Sequence, residues 1–379
     1  MAGVDPMLPG LIVAVVFSVA VAVFPVLQRG WSLGLVSSLA AAAYYQRAFL
    51  GFVGVIALAY IALLWLRGQT SRSLRWRLAC AALFLLIVVF TMGRLLHWDN
   101  SMVQLTSSVR LQIYVLDMWL LLRLVTLFWE VGSGAVSDLP LSRYIVWTCL
   151  PLTLAGPLLR YSQLPAEFRA NRYFWMSPQW WFEMATAVGK MTIGFALGAL
   201  QQITQTQWPK AHIGNSLLGV LITGPMGFYL TTAGYFQIME LLGRPAGFKI
   251  PESFNFPIGR KNISDFWMNW NMTATYVFRD YLFYNRWGRR NYNVYFNTLL
   301  LFTLVGLWHA ANLYWVLWGF LHGLLFCTFV FWRKHANQFS NLPLRGTPIA
   351  QAGARVLTYV SVCACWYLPS KILQGVGVI

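Results

Sequence analysis

Long apolar runs, separated by short basic and aromatic clusters, set the pattern of this chain. Runs from Leu11 to Leu27, Leu50 to Leu66, Leu78 to Met92, Leu111 to Val131 and Tyr144 to Leu159 approach the roughly 20 residues that a helix needs to cross a bilayer. So do those from Met184 to Ile203, Ile213 to Leu242, Tyr292 to Leu307, Leu313 to Trp332 and Ala354 to Leu368. In hydrocarbon the backbone must satisfy its own hydrogen bonds, so such runs are predicted as helices. The expectation is an all-α polytopic membrane protein with about ten to twelve membrane helices, some broken or re-entrant. The first run has no basic leader and no small-residue cleavage site, and is expected to be a retained helix and not a signal peptide. Residues 1–379 are expected to form one integral membrane domain.

Composition agrees with the pattern. The chain is 58% hydrophobic and only 10% charged, where an ordinary soluble domain carries about a quarter charged residues. The polar stretches Arg160 to Glu183 and Gly243 to Arg290 are rich in Trp, Tyr and Phe, which suits interfacial helices at headgroup level. Net charge is +17, and the excess falls in short segments between apolar runs. That placement argues for anionic lipid as partner and against nucleic acid. By the positive-inside rule, Arg67 to Arg77, Arg160 to Arg172, Arg244 to Arg290 and Arg333 to Arg355 are expected to face the cytoplasm. Tyr292 to Leu307 and Leu313 to Trp332, flanked by two of these clusters, then form an out-and-back pair with His309 near its turn.

Chemistry must come from polar residues held at membrane depth. Five cysteines (Cys80, Cys149, Cys327, Cys363, Cys365) lie in apolar runs without metal-ligand spacing and are expected to be buried structural thiols. Arg123 and Glu130, seven apart on a presumed helix, are expected to pair as a structural ion pair, whereas Asp117 points elsewhere. His97, His212 and His335 have polar neighbours and read as interfacial. His322 has no role that spacing alone assigns. Ser264 to Tyr284 reads as one aromatic helix capped by Ser264 or Asp265, in which Asn271, Thr275 and Arg279 recur at i, i+4 and i+8 as a polar stripe. The sequons at Asn262 and Asn271 read as accidental. His309 is the most informative position, because a neutral imidazole in an apolar setting is a proton acceptor.

Four segments in order resemble a known family. Ala155-Gly156-Pro157-Leu158-Leu159-Arg160-Tyr161 and Pro251-Glu252-Ser253-Phe254-Asn255-Phe256-Pro257 come first. Asp265-Phe266-Trp267 with Phe278-Arg279-Asp280-Tyr281-Leu282 follows, and then Gly306-Leu307-Trp308-His309 with Trp318-Gly319-Phe320-Leu321-His322-Gly323. Together these pieces, within a core at 154–323, resemble the membrane-bound O-acyltransferases, and within them the bacterial branch of alginate O-acetylation membrane subunits and teichoic-acid D-alanyl transfer proteins. The resemblance implies helices around a central chamber in a bacterial cytoplasmic membrane, with His309 catalytic. It also implies a second family position, a His, Asn or Asp, that falls on Asn271. Three positions depart from the branch: Asn271 stands where polymer-modifying members carry His, Ala310 follows the histidine where Gly is usual, and Thr231-Thr232-Ala233-Gly234-Tyr235 lacks the acidic residue usual before its Gly-Tyr.

The implied reaction is transfer of an acyl group, expected to be acetyl, from a thioester donor, acyl-CoA or acyl-carrier protein, to a hydroxyl of a cell-surface or exported glycan, with a lipid or small-molecule acceptor as the alternative. His309 serves as base, while Asn271 and Trp308 or backbone amides steady the carbonyl oxygen. An amide is no base at neutral pH, so Asn271 is expected to act by hydrogen bonding. No permanently bound cofactor and no metal are expected. Arg279, Lys261 and Arg260 are the principal expected donor-phosphate contacts, with Arg244, Lys249 and Arg286 as further candidates; an extracytoplasmic partner protein is a further expectation. A transporter would instead show paired half-repeats, which this sequence lacks.

Overall fold

The computed structural model describes residues 7–45, 49–71, 73–76, 78–79, 107–165, 167–169, 171, 173–206, 217–283, 293–310, 312–335 and 347–376. Among these the protein is helical, without a strand. The helices are α1 (Met7–Val23), α2 (Gly30–Tyr45), α3 (Phe49–Arg67), α4 (Ser107–Ser133), α5 (Leu141–Cys149), α6 (Pro178–Thr206) and α7 (Leu217–Gly243). They continue with α8 (Ile263–Asn269), α9 (Met272–Val277), α10 (Val294–His309), α11 (Leu313–His335) and α12 (Pro348–Gly375). Helices α3, α11 and α12 are long and apolar enough to cross a membrane, and α1 and α10 are shorter apolar helices. On α3 the side chains of Leu50, Leu58, Ile61 and Trp65 are exposed, a surface that lipid accommodates and water does not. This is an integral membrane protein.

One expected span takes a different form, and one helix was not expected. The apolar run from Tyr144 to Leu159 is not one span: α5 ends at Cys149 and a 3-10 turn at Pro151–Thr153 follows, because Pro151, Gly156 and Pro157 interrupt the ladder. The run from Gly30 to Tyr45, too rich in Gly and Ser to stand out as apolar, forms α2. The expected span at Leu78 to Met92 lies almost wholly outside the described residues, as do Cys80, His97, His212 and Arg286 and the side chain of Asp117.

The chain divides into two compact units, 1–186 with 235–252, and 187–234 with 253–379. In the first, Tyr144 and Trp147 on α5 are fully buried; Tyr144 donates to the Ile56 carbonyl at 2.7 Å and Trp147 to that of Leu159 at 2.8 Å. Arg123 and Glu130 do not pair as expected. Arg123 donates to the Thr148 carbonyl at 3.2 Å and lies over the Trp147 ring, whereas Glu130 accepts from the Ser162 hydroxyl and backbone N–H. The loop after α5 supplied that closer partner for Glu130, which helix spacing does not reveal. The segment Ala155 to Tyr161 packs here too. Tyr161 sits edge-on to Trp147, ring centroids 5.9 Å apart, under the Arg143 guanidinium, and burial pushes its phenol up to about 12.

In the second unit α6 and α7 cross backbone against backbone. A methyl on Gly194 would overlap Thr231, and one on Gly234 would lie 2.6 Å from the Ala187 carbonyl oxygen. Small residues permit such close crossings in membranes. The Gly234 of the Thr231 to Tyr235 segment is therefore a packing residue. Tyr229 and Ala233 of α7, Ile263, Phe266 and Trp270 around α8, and Val362 of α12 then form one apolar cluster.

Candidate active site

Helices α10 and α11 form a hairpin, and glycines set how close its arms come. A methyl on Gly306 would overlap the Trp315 carbonyl oxygen, and one on Gly319 would overlap that of Phe302. Asn293 starts α10 by accepting from the N–H groups of Tyr295 and Phe296. The helix ends at His309 because Ala310 is extended, with φ −160°. Any residue adopts that backbone, so Ala310 serves at the position where the resemblance implies Gly. Asn312 then accepts from the Trp315 N–H at 2.9 Å and starts α11.

The turn presents the half-buried His309 imidazole to three tryptophans. Its ring stacks on Trp315 at 4.8 Å and 19°, meets Trp318 edge-on at 5.4 Å, and lies 4.6 Å from Trp308. His322, one helical stretch further along α11, is fully buried and packs against Trp318 at 4.3 Å and Trp267 at 5.2 Å. His309 and His322 line the same cavity, with Trp267, Trp270, Trp318 and Trp366 among its other walls. Its open volume is about 10 Å³, on the order of one water molecule. Sequence spacing missed this meeting, because the break at Ala310 to Asn312 sets the two histidines on separate helices.

The aromatic segment before it is not the single helix expected. Asn262 caps α8, accepting from the Asp265 N–H at 2.8 Å. The chain then leaves the helix at Trp270, resumes α9 at Met272 and passes into a π-helix at Phe278–Phe283. Two backbone bonds from the Pro251 to Pro257 segment hold the break open: Met272 N–H to the Ser253 carbonyl at 2.6 Å and Asn255 N–H to that of Asn269 at 3.0 Å. The expected stripe of Asn271, Thr275 and Arg279 therefore does not run along one helix.

Asn271 sits in the break with φ 41° and ψ 55°, left-handed. Among non-glycine residues Asn, Asp and His are several-fold enriched there, which matches the three residue types that the resemblance implies at this position. Its side-chain oxygen accepts from Thr273 at 3.4 Å. The structure brings Trp270, but not Asn271, into the wall of the His309 cavity.

The expected donor cations are dispersed in role. Arg260 donates to the carbonyls of Asn255 and Phe256 and braces its own loop, in which Phe256 has φ 49°. Arg279 pairs with Asp280 at 2.8 Å and lies over the Tyr276 ring. Lys261 is exposed. In the first unit Arg244 pairs with Glu183 at 2.7 Å, and Lys249 is exposed. His335 is partly exposed at the end of α11, its Nδ1 2.8 Å from the Phe331 carbonyl oxygen. Cys149, Cys327, Cys363 and Cys365 are buried free thiols.

No protein-family model matches the chain. It is similar to the teichoic acid D-alanyltransferase of Bacillus subtilis (strain 168), 29% identical over 64% of this chain and 65% of that protein. It is 35% identical to the probable alginate O-acetylase AlgI of Azotobacter vinelandii, over 46% of this chain and 35% of that protein. The peptidoglycan O-acetyltransferase of Helicobacter pylori is 26% identical over 46% of this chain and 34% of its own length. The chain thus spans about a third to two thirds of the length of these curated relatives. All are members of the membrane-bound O-acyltransferase family, and the resemblance carried by the ordered motifs is borne out.

Proposed function

We propose that this protein is a membrane-embedded O-acyltransferase that moves an acetyl group from a thioester donor to a hydroxyl of a cell-surface or exported glycan. The observation that carries the reading is the position of His309, the last residue of α10, in an aromatic-walled cavity. Two of the relatives are named for O-acetyl transfer and one for D-alanyl transfer to teichoic acid, which supports the reaction class.

In this reading neutral His309 takes the proton of the acceptor hydroxyl, and the oxygen attacks the thioester carbonyl carbon. A C–O bond forms, the C–S bond breaks, and the proton passes from the imidazolium to the departing thiolate. No covalent acyl-enzyme is needed. The Trp315 face lies parallel to the imidazole and would favour the transient imidazolium by cation–π attraction. Asn271 donates a hydrogen bond that orients the donor carbonyl, and Lys261, Arg260 and Arg279 face the donor phosphates of CoA or carrier-protein pantetheine. About ten to twelve membrane helices in a bacterial cytoplasmic membrane, basic loops to the cytoplasm, complete the proposal.

The test is transfer of label from acetyl-CoA, acetyl-carrier protein or D-alanyl-carrier protein to glycan, teichoic acid and lipid acceptors by the purified full chain. Transfer that His309→Ala abolishes in a protein that still folds is the expected result. Transfer that survives His309→Ala would remove the histidine mechanism, and transfer to lipid alone would move the acceptor to that class.

A further inference from the structure

Three buried nitrogens on the walls of the His309 cavity take no hydrogen bond among the described residues: Nε1 of Trp267, Nε1 of Trp318 and Nε2 of His322. Buried polar atoms in native proteins are nearly always paired, so three orphans around one space point to an occupant. Their chemistry says which kind. His322 Nδ1 lies 2.9 Å from the Trp318 carbonyl oxygen. That oxygen only accepts, so Nδ1 carries the ring proton and Nε2 presents a lone pair. Each indole N–H only donates.

Two donors and one acceptor around about 10 Å³ of space match a single hydroxyl oxygen. Its lone pairs accept from the two indoles, and its O–H donates to His322. A carboxylate, phosphodiester or carbonyl oxygen brings no proton for Nε2, and an ammonium brings no lone pair for the indoles. The rings are close enough to act together: Trp318 lies 4.3 Å from His322 and 5.9 Å from Trp267 by ring centroids.

We propose that Trp267, Trp318 and His322 form a binding site for one hydroxyl oxygen beside His309, filled by water or by the acceptor alcohol. The alcohol arm rests on the acyltransferase reading; the site itself does not. With the alcohol bound, the trio sets the hydroxyl next to His309, to which Trp318 is also edge-on at 5.4 Å. Without acceptor, water takes the same place.

The test begins without substrate. Thermal unfolding of the full chain in detergent compares His322→Leu, His322→Gln, Trp267→Phe and Trp318→Phe with the unsubstituted protein. If the site holds an oxygen, His322→Leu lowers Tm and His322→Gln, which keeps an acceptor, recovers most of the loss. If the nitrogens are merely orphaned, His322→Leu removes an unpaired group and Tm stays or rises, which overturns the proposal. Should the variants fail to fold, density for an oxygen within hydrogen-bonding reach of all three nitrogens in the unsubstituted protein supports the site, and an empty space there overturns it.

Kinetics then separate the sources. An alcohol subsite gives His322→Leu a KM for acceptor raised roughly tenfold, the loss of about one neutral hydrogen bond, at unchanged KM for donor, and His322→Gln brings most of it back. A water site leaves acceptor KM unchanged while Tm falls. If the unsubstituted protein transfers no acyl group at all, the reaction reading fails, and the unfolding and density results still decide the site.

Discussion

The His309 imidazole lies face to face with the Trp315 indole, ring centroids 4.8 Å apart and planes 19° from parallel. The two residues sit on different helices, so this stack ties the orientation of the proposed base to the closure of the α10–α11 hairpin. Trp315→Leu removes that aromatic face from the imidazole. A desolvated cation–π contact is worth about 2 kcal/mol, so kcat is expected to fall roughly 10- to 30-fold with little change in donor KM. Steady-state kinetics on the folded variant check it; an unchanged kcat would show that Trp315 only fills space.

Gly306 and Gly319 have no room for a methyl, whereas Gly353 on α12 has nothing within 4 Å. Gly306→Ala and Gly319→Ala must push the hairpin apart against backbone carbonyls, and overpacking of this kind costs about 1–3 kcal/mol. Both variants are expected to melt earlier and to lose acyl transfer as the Trp315 stack opens. Gly353→Ala is the control: helix propensity favours Ala over Gly by about 1 kcal/mol, so its Tm should hold or rise. Equal Tm for all three would contradict the close packing.

Much of this was legible from residue pattern alone. The run from Leu50 to Leu66 became Phe49–Arg67 and that from Leu313 to Trp332 became Leu313–His335, each displaced by no more than a turn, because apolar length with a basic or polar edge decides such helices locally. The expected turn beside His309 is where the chain reverses. What stayed hidden depends on distant partners. Nothing in Ser264 to Tyr284 announces a break after Trp270, since the Ser253 carbonyl that holds Met272 comes from another segment. Glu130 left Arg123 for Ser162 for the same reason. His322 was visible as a motif residue, yet its place beside His309 exists only once the glycine seam closes the hairpin.

Lys261 and Arg260 are neighbours with different prospects. Arg260 holds the carbonyls of Asn255 and Phe256, so Arg260→Ala is expected to lower Tm by removing these charged hydrogen bonds from the loop. Lys261 is exposed, and Lys261→Glu should leave Tm unchanged. If Lys261 meets donor phosphate, the same change raises donor KM roughly fivefold or more at low salt, an effect that salt weakens. Unchanged donor KM at both salt concentrations would remove Lys261 from the donor site.

Asn271 combines a backbone demand with a proposed chemical one, and two substitutions separate them. At φ 41° a side chain other than Asn, Asp or His is strained, so Asn271→Ala is expected to cost about 1–2 kcal/mol. Asn271→Gly relieves the strain and should leave Tm close to that of the unsubstituted protein, because Gly takes positive φ without steric cost. If the amide orients the donor carbonyl, Gly nevertheless loses kcat by roughly 10- to 100-fold, in the range seen when one donor to a developing oxyanion is removed. Full activity in Asn271→Gly beside a destabilised Asn271→Ala would give the position to backbone geometry alone. The hydrogen-bonding role would then pass to Trp308 or to backbone amides beside His309.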